Sequence, residues 1–127
     1  MKIVTPFRVM YENDVVSVLA PGITGYFGIL ANHHPFLTHL SIGTIVVDTG
    51  RAVKTFATSG GYTEVLKNVM TILAETAEES SEIDVDRAKR ARDRALVRMK
   101  QHSPDIDFDR ARLALLRALN RLRAFQA

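Results

Sequence analysis

The amino-acid sequence predicts an α+β fold, in which a small β-sandwich or barrel is followed by an antiparallel hairpin of two helices. Three observations support this prediction. Residues 1–82 hold all seven glycines and seven of the nine aromatic residues, among short β-branched runs. A helix-forming segment occurs twice in the last third of the chain. The net charge changes sign between these two regions.

Seven segments of the first region are predicted to be strands, because β-branched and aromatic residues alternate there between Gly, Asn and Pro turns. They are residues 2–4, 14–20, 36–40, 44–48, 52–58, 62–66 and 69–73. This density of short strands is typical of a small sandwich or barrel. Residues 25–28 and 59–61 contain glycines but no phosphate-loop lysine, and we interpret them as turns or bulges. A short linker, residues 78–82, is expected to lead to the helices.

The repeated segment predicts two helices of the same design. Residues 83–99 and 106–122 match at ten of seventeen positions. Each copy begins with an isoleucine and an N-cap aspartate, Asp84 or Asp107, and has Ala four residues after the cap, the pattern of a hydrophobic staple. Ser103-Pro104 separates the copies and ends the first helix. Because the connection is so short, the helices are predicted to run antiparallel.

Small residues are predicted to form the seam between the two helices, since they recur at spacings of three and four: Ala88, Ala91 and Ala95, then Ala111, Ala114 and Ala118. Alanines bury little surface, at roughly 0.8 kcal/mol per CH₂-sized group, so the hairpin is expected to open at modest cost. The second copy has leucines where the first has charged residues. Helix two is therefore predicted to dock on the first region, and helix one is predicted to face water. The predicted docking residues of helix two are Leu113, Leu115, Leu116, Leu119 and Leu122.

The charges divide between the two regions. Residues 1–82 hold five basic and eight acidic side chains, whereas residues 83–127 hold twelve basic and six acidic ones. The hairpin is therefore expected to bind an anion, which could be a nucleotide, a nucleic acid, an acidic membrane or an acidic protein segment.

Few residues suggest catalysis or metal binding. The chain has no cysteine, and His33 and His34 are adjacent and would point to opposite sides of an extended segment, so neither they nor His39 predict a metal site. Ser59 lies in no nucleophile-elbow pattern. The N-terminus lacks the apolar run of a signal peptide, and we expect a cytoplasmic protein unless a partner holds it at a membrane.

Six segments, in this order, resemble the epsilon subunits of bacterial F-type ATP synthases: residues 19–22, 25–30, 33–35, 56–65, 70–77 and 83–88. The resemblance covers essentially the whole chain. It implies a β-sandwich domain, residues 1–82, that lies beside the gamma subunit on the c-ring. It also implies a regulatory hairpin, residues 83–127, that folds against the sandwich or extends along the stalk and then inhibits ATP hydrolysis.

The same resemblance implies a non-catalytic rotor subunit of an ion-translocating enzyme, held peripherally at the cytoplasmic face of the membrane and touching the membrane only through the complex. The basic hairpin would meet an acidic segment of the catalytic beta subunits. The chain departs from the family at Tyr26, where a polar or acidic residue is usual, and at Ala31-Asn32, where Pro-Gly is usual. Both positions are expected on the loop that rests on the c-ring.

Residues 83–88 also resemble the ATP-binding motif Ile/Leu-Asp-x-x-Arg-Ala of bacillus-type epsilon subunits. This match implies ATP as a regulatory ligand, with no catalytic cofactor and no metal. The implied ligands are Glu78, Ile83, Asp84, Arg87 and the Ala88 backbone, with Arg94, Arg117 and Arg121 supplied across the hairpin. Antiparallel pairing of the alanine seams would bring Arg117 and Arg121 close to Arg87, and three guanidinium groups around one point require an anion.

Two other classes of function fit parts of the sequence. A nucleic-acid-binding module would explain the isoelectric point of about 9.5, but aspartates interrupt the basic residues of both helices, so no nucleic acid is expected. Binding at two salt concentrations would distinguish this alternative. A free-standing ATP sensor would lack a rotor partner, and co-purification with a gamma-like subunit would exclude it.

Overall fold

The computed structural model describes residues 1–101 and 104–126. Ten strands come first, then one turn of 3₁₀-helix at Ser80–Glu82, and then two α-helices. The strands are β1 Lys2–Val4, β2 Val9–Glu12, β3 Ser17–Gly22, β4 Gly25–Leu30, β5 Phe36–Leu40, β6 Gly43–Asp48, β7 Val53–Thr58, β8 Gly61–Leu66, β9 Val69–Ala74 and β10 Ala77–Glu79, and the helices are α1 Val85–Lys100 and α2 Phe108–Gln126.

The strands form two layers that are joined at β3. One layer has the order β10-β7-β6-β3-β4, and the other has the order β5-β8-β9-β1-β2. Gly22 at the end of β3 pairs with Leu40 of β5, so pairing passes from one layer to the other at this corner. All pairs are antiparallel except β1 with β9. The predicted α+β class is confirmed, with a β-sandwich as its first part.

The core lies between the layers and follows the alternation of strand side chains. In β6, Gly43, Ile45 and Val47 are buried while the residues between them are half-buried. Ile45, Val47, Phe56, Ile72 and Ile3 are at most 1% exposed, and both layers contribute to this cluster. The sandwich therefore has its own hydrophobic core, independent of the helices.

All seven predicted strands are present, but the prediction missed three others. Residues 25–28, interpreted as a turn or bulge, belong to β4, which pairs with β3 from Ser17↔Leu30 to Gly22↔Gly25. Its glycines suggested a turn, whereas cross-strand pairing determines the strand. The predicted linker 78–82 was also wrong, because β10 pairs with the edge of β7 and the 3₁₀ turn follows at once. The third missed strand, β2, pairs with β1.

The hairpin agrees with the predicted alanine seam. Ala88, Ala95, Ala111 and Ala118 are buried, and the other two seam alanines are half-buried. Each predicted aspartate caps its helix: Asp84 accepts a hydrogen bond from the Arg87 N–H at 3.0 Å and Asp107 one from the Arg110 N–H at 3.1 Å. Helix α1 ends at Lys100. Of the predicted helix stop, Ser103 is outside the described residues and Pro104 lies in a turn.

Helix α2 is the helix that docks on the sandwich, as predicted, and it contacts β6, β7 and the 3₁₀ turn. The predicted leucine stripe is not the buried face of α2, because only Leu115 and Leu122 of its five leucines are half-buried. Leu113, Leu116 and Leu119 remain 36–40% exposed, whereas Asn120 and Ala124 are buried. Small and amide side chains bring the α2 backbone closer to the sheet than leucines would, because they occupy less space.

Candidate functional site

The sandwich and the hairpin meet at a small apolar cluster. Ile83, which precedes the N-cap of α1, is 6% exposed and packs with Ala57 of β7 and Ala124 of α2. Burying one isoleucine and two alanines contributes only a few kcal/mol, at about 0.8 kcal/mol per CH₂-sized group. Ile83 is one of the predicted ATP-site residues, and the structure places it in this packing contact.

A buried amide lies one helical turn before this cluster. Asn120 donates through Nδ2 to the Gly43 carbonyl at 2.7 Å and to the Thr58 carbonyl at 3.3 Å. Gly43 and Thr58 are register partners at the end of the β6–β7 ladder. The sequence analysis missed Asn120. The signal was present, since Asn is a weak helix former and the first copy of the repeat has Val97 at the matching position.

An ion pair lies beside the amide. The Nε of Arg121 is 2.6 Å from Oε1 of Glu78 on β10, and the two side chains are about one third exposed. Both residues belong to the predicted ATP site, and the structure brings them together. A charge-assisted hydrogen bond of this length is geometrically strong, but solvent screening keeps its contribution to about 1 kcal/mol or less.

Asp84, Arg87 and Ala88 lie together at the start of α1. The Asp84 carboxylate accepts the Arg87 N–H, and the Ala88 N–H donates to the Asp84 carbonyl at 3.0 Å. Ala88 is buried in the seam, whereas the Arg87 side chain is exposed. Arg94 lies further along α1 and is also exposed. Asp84, Arg87 and Ala88 therefore form the N-terminal cap of α1, and the Arg87 side chain projects from this cap into solvent.

A narrow polar cleft separates α2 from the sandwich. Its lining consists of Ala57, Thr58, Ser59, Thr76, Arg117, Asn120 and Arg121, around a cavity of only about 10 Å³. The hydroxyl of Thr76 donates to that of Ser59 at 2.7 Å. Ligand sites usually enclose about 300–1,000 Å³, so this cleft is smaller than a nucleotide needs. Arg117 and Arg121 line it, and Arg87 and Arg94 do not.

The outer face of the second layer carries an apolar patch. Leu37, Tyr62 and Leu73 are 70%, 49% and 55% exposed, and they border a shallow groove together with Glu64 and Thr71. Tyr62 pairs in register with Leu73, and Leu37 with Glu64, so the apolar side chains are neighbours on adjacent strands. Exposed apolar side chains that adjoin on one face are a candidate surface for contact with a partner.

The two departures from the family pattern lie at different ends of β4. Tyr26 is within the strand, near the β3–β4 turn, and its hydroxyl accepts the Thr44 N–H at 3.0 Å. Asn32 follows the strand with φ of 61°, a left-handed conformation that Asn tolerates, and its N–H donates to Asn68 at 2.7 Å. A strand rises about 3.3 Å per residue, so the expected single c-ring loop containing both positions is wrong.

The remaining candidates for chemistry are engaged locally. His33 Nδ1 lies 2.8 Å from the His34 carbonyl oxygen, and the His39 ring packs against Tyr62 at an interplanar angle of 59°, with centroids 4.3 Å apart. Among residues 1–101 and 104–126, no three His, Asp or Glu side chains cluster as metal ligands. Over the same residues, none of the helices has the length and hydrophobicity to cross a bilayer.

Two family models match the chain in sequence order. The β-sandwich domain of the ATP synthase delta/epsilon chain matches residues 1–80, and the long α-helix domain of the same chain matches residues 81–126. These models account for both parts of the fold.

Bacterial relatives extend the match. The ATP synthase epsilon chain of Syntrophomonas wolfei is 46% identical over 101 residues, which cover 79% of this chain and 74% of that one. The corresponding chain of Moorella thermoacetica is 44% identical over 102 residues, covering 80% of this chain and 76% of that one. The matched part is large in both relatives.

Solved structures show the same fold at lower sequence identity. A chain of the Euglena gracilis mitochondrial ATP synthase superposes with a TM-score of 0.85 at 20% identity, over 99% of this chain and 79% of that chain. A chain from the central stalk and c-ring of the Tetrahymena thermophila mitochondrial enzyme gives 0.64 at 17% identity, over 98% and 91%. From the two family models and the bacterial relatives, we conclude that the chain belongs to the epsilon chains of the bacterial F-type ATP synthases.

Proposed function

We propose that this chain is a non-catalytic rotor subunit of the central stalk, which joins the gamma subunit to the c-ring and regulates ATP hydrolysis through its hairpin. The main support for this proposal is that the two parts of the fold are joined by few contacts. A sandwich with its own core supports a hairpin that it holds through one apolar cluster, one amide and one ion pair. A regulatory rotor subunit requires one rigid domain and one segment that can adopt two conformations.

The apolar patch of Leu37, Tyr62 and Leu73 is the surface we assign to the gamma subunit. It is exposed and lies on the layer that does not carry the hairpin, so a partner could occupy it while the hairpin moves. The c-ring then contacts an end of the sandwich, where the strand turns are. The protein is peripheral at the cytoplasmic face of the membrane and reaches the membrane through the complex.

The charge of the hairpin supports an inhibitory role. Exposed arginines and lysines extend along both helices, including Lys89, Arg90, Arg98, Arg110 and Arg112. An extended hairpin would present them towards the acidic segment of the beta subunits and would obstruct rotation in the direction of hydrolysis. The partly exposed leucines of α2 become a second contact surface in that state.

ATP is the ligand we propose for the folded hairpin. Arg117 and Arg121 face the cleft on α2, and Arg87 projects from the adjacent helix start. In the ligand-free arrangement Glu78 neutralises Arg121. A triphosphate would replace Glu78 as the partner of Arg121, and the freed carboxylate would then accept hydroxyl groups of the ribose. The cleft itself has no room for a nucleotide, so the Arg121 side chain, which is one third exposed, must turn out of it to meet the phosphates.

Reconstitution tests the proposal. The full chain is added to an F-type ATP synthase whose own epsilon chain has been removed, and both its co-purification with gamma and the rate of ATP hydrolysis are measured. We expect stoichiometric binding and a fall in hydrolysis. If the chain binds ATP but never joins gamma, it is a free-standing sensor and the proposed rotor role is wrong.

A further inference from the structure

One peptide group of the sandwich is held from both sides by side chains of distant segments. The carbonyl of Gly43 accepts from Asn120 of α2 at 2.7 Å. The N–H of the same peptide group, which belongs to Thr44, donates to the Tyr26 hydroxyl at 3.0 Å. Because a peptide group is planar and rigid, it connects strand β4 to the hairpin through two hydrogen bonds in series.

The amide of Asn120 has a single suitable orientation and position. Both groups that face it, Gly43 and Thr58, present carbonyl oxygens, so only the amide nitrogen can point towards them. The residue is 7% exposed, so water does not replace these bonds when the hairpin is docked. A Cβ at position 43 would lie 2.5 Å from the Pro21 Cβ and 2.8 Å from the Tyr26 hydroxyl, so glycine allows the close approach.

The neighbouring apolar contacts cannot define the docked position as sharply. Ala57, Ile83 and Ala124 stabilise the contact by burying apolar surface, which is non-directional and does not by itself define one position of α2. A buried amide, by contrast, is satisfied only where both carbonyls are within reach, and a displaced amide loses its partners. A single buried Asn fixes the register of a coiled coil for the same reason.

We propose that Asn120 is the positioning residue that sets the docked place of the hairpin, and that Tyr26 supports it through the Gly43–Thr44 peptide. The Tyr26 hydroxyl also lies 3.3 Å from the Thr44 hydroxyl, and Tyr26 as a whole is 53% exposed, so a partner that covers β4 would contact its ring. Contact at β4 and docking of the hairpin are therefore linked. This inference rests on the mobile hairpin of the proposed function.

The docked fraction can be measured directly, because the chain contains no cysteine and accepts two labels without competition. Fluorophores are attached at Arg51→Cys on the sandwich and Asp109→Cys on α2, both exposed and distant from the contact. Energy transfer then reports the separation of the labels in the full chain. A urea series makes docked and undocked forms both observable, while tyrosine fluorescence follows unfolding of the sandwich.

Asn120→Ala is expected to lower the docked-to-undocked ratio about tenfold, which corresponds to 1.4 kcal/mol at 25 °C. Asn120→Asp should lower it further, because a carboxylate of the same shape offers no donor and faces two carbonyl oxygens. Leu119→Ala is the matched control. It removes a larger side chain from the adjacent position, which is 39% exposed, and should change the ratio less than twofold.

Tyr26→Phe should lower the ratio about threefold, with Tyr11→Phe as its control, because the Tyr11 hydroxyl makes no hydrogen bond among the described residues. If Tyr26 acts only through the shared peptide, adding Tyr26→Phe to Asn120→Ala should have no further effect. Equal effects of Tyr26→Phe in both backgrounds would overturn the link to β4.

Two failures are distinguishable. In the first, the labels separate before the sandwich unfolds, but at the same urea concentration in wild type and Asn120→Ala. This result would overturn the role of Asn120 and leave the mobile hairpin intact. Wild-type labels that separate only when the sandwich itself unfolds would contradict the mobile hairpin, and the inference would fall with it.

Discussion

Arg121 has two roles at the same contact, because it holds the docked hairpin and belongs to the predicted ATP site. Its Nε lies 2.6 Å from Glu78, and its side chain also lines the cleft together with Arg117. The pair is one third exposed, so water can solvate either partner when the other leaves. We therefore expect that a phosphate could replace Glu78 at low cost, which a fully buried pair would not allow.

The first prediction concerns this exchange. Arg121→Ala and Arg87→Ala should each lower the affinity of the full chain for ATP at least tenfold, because each removes a guanidinium from the phosphate site. Isothermal titration calorimetry of the isolated chain measures the affinity. Arg123→Ala is the matched control, since Arg123 is exposed and lies near Arg121 but belongs neither to the predicted ATP-site residues nor to the lining of the cleft. If the variants bind ATP as tightly as wild type, the Ile-Asp-x-x-Arg-Ala segment is only a helix cap and not part of an ATP site.

At the scale of elements, the helices were easier to predict than the strands. An N-cap, a seam of alanines and a Pro after the helix are all local signals, and Asp84, Asp107 and the buried alanines behave as the sequence indicates. Strands depend on distant partners. β4 carries two glycines and reads locally as a turn, yet it pairs with β3 along its full length.

The docking face of α2 shows the limit of pattern analysis. Hydrophobic periodicity favoured the leucines as the docking residues of α2. The end of the β6–β7 ladder presents two carbonyl oxygens, however, which require a donor rather than a methyl group. Sequence spacing likewise could predict only part of the proposed ATP site. Glu78 and Arg121 are distant in sequence, and pairing of β10 with β7 brings them together. A local pattern contains no information about that pairing.

The second prediction is that the sandwich folds without the hairpin. Its core comes from both layers and includes no helix residue, so a chain ending at Ser81 should give a cooperative thermal transition by circular dichroism. Removing α2 exposes Ala57 and the Thr58 carbonyl, and the loss of stability should stay within a few kcal/mol. A chain ending at Ser81 without cooperative unfolding would show that the hairpin is part of the fold.

The third prediction concerns the apolar patch on the second layer. Leu37→Asp should weaken binding to the gamma subunit at least tenfold, because burying a leucine contributes about 1.5–3 kcal/mol and a buried carboxylate opposes it. Val53→Asp, which is similarly exposed on the first layer, is the control and should bind normally. Pull-down with labelled gamma measures both. Equal loss in the two variants would place the gamma contact elsewhere or indicate misfolding.

At the scale of the whole molecule, the fold separates an acidic sandwich from a basic hairpin. The contact between them is small, so an electrostatic attraction elsewhere can compete with it. The fourth prediction follows. Removing residues 83–127 should raise ATP hydrolysis by the assembled enzyme and leave coupling largely intact. Arg110, Arg112 and Arg123 changed together to Ala should give part of that rise, with a smaller effect at high salt because exposed charges are screened.

The hydrolysis rate of the assembled enzyme, measured over a range of ATP concentrations, checks this prediction. An unchanged rate in the truncated enzyme would remove the inhibitory role of the hairpin. If the triple variant inhibits as strongly as wild type at all salt concentrations, the hairpin obstructs by shape alone, and its charge has another purpose.

The last prediction is that cellular ATP decides which hairpin state is populated. The docked state rests on an alanine seam, one small apolar cluster, one amide and one ion pair, so it is favoured by only a few kcal/mol. A ligand at 100 times its dissociation constant adds about 2.7 kcal/mol to the state that binds it, enough to shift such a balance by a factor of about 100. The proposed ligands come from both helices and from β10, so opening must release the nucleotide. In the labelled chain, millimolar ATP should therefore raise the docked fraction in wild type and leave Arg121→Ala unchanged. The assembled enzyme should be less inhibited at high ATP in wild type than in the variant. A docked fraction that does not respond to ATP would separate nucleotide binding from regulation.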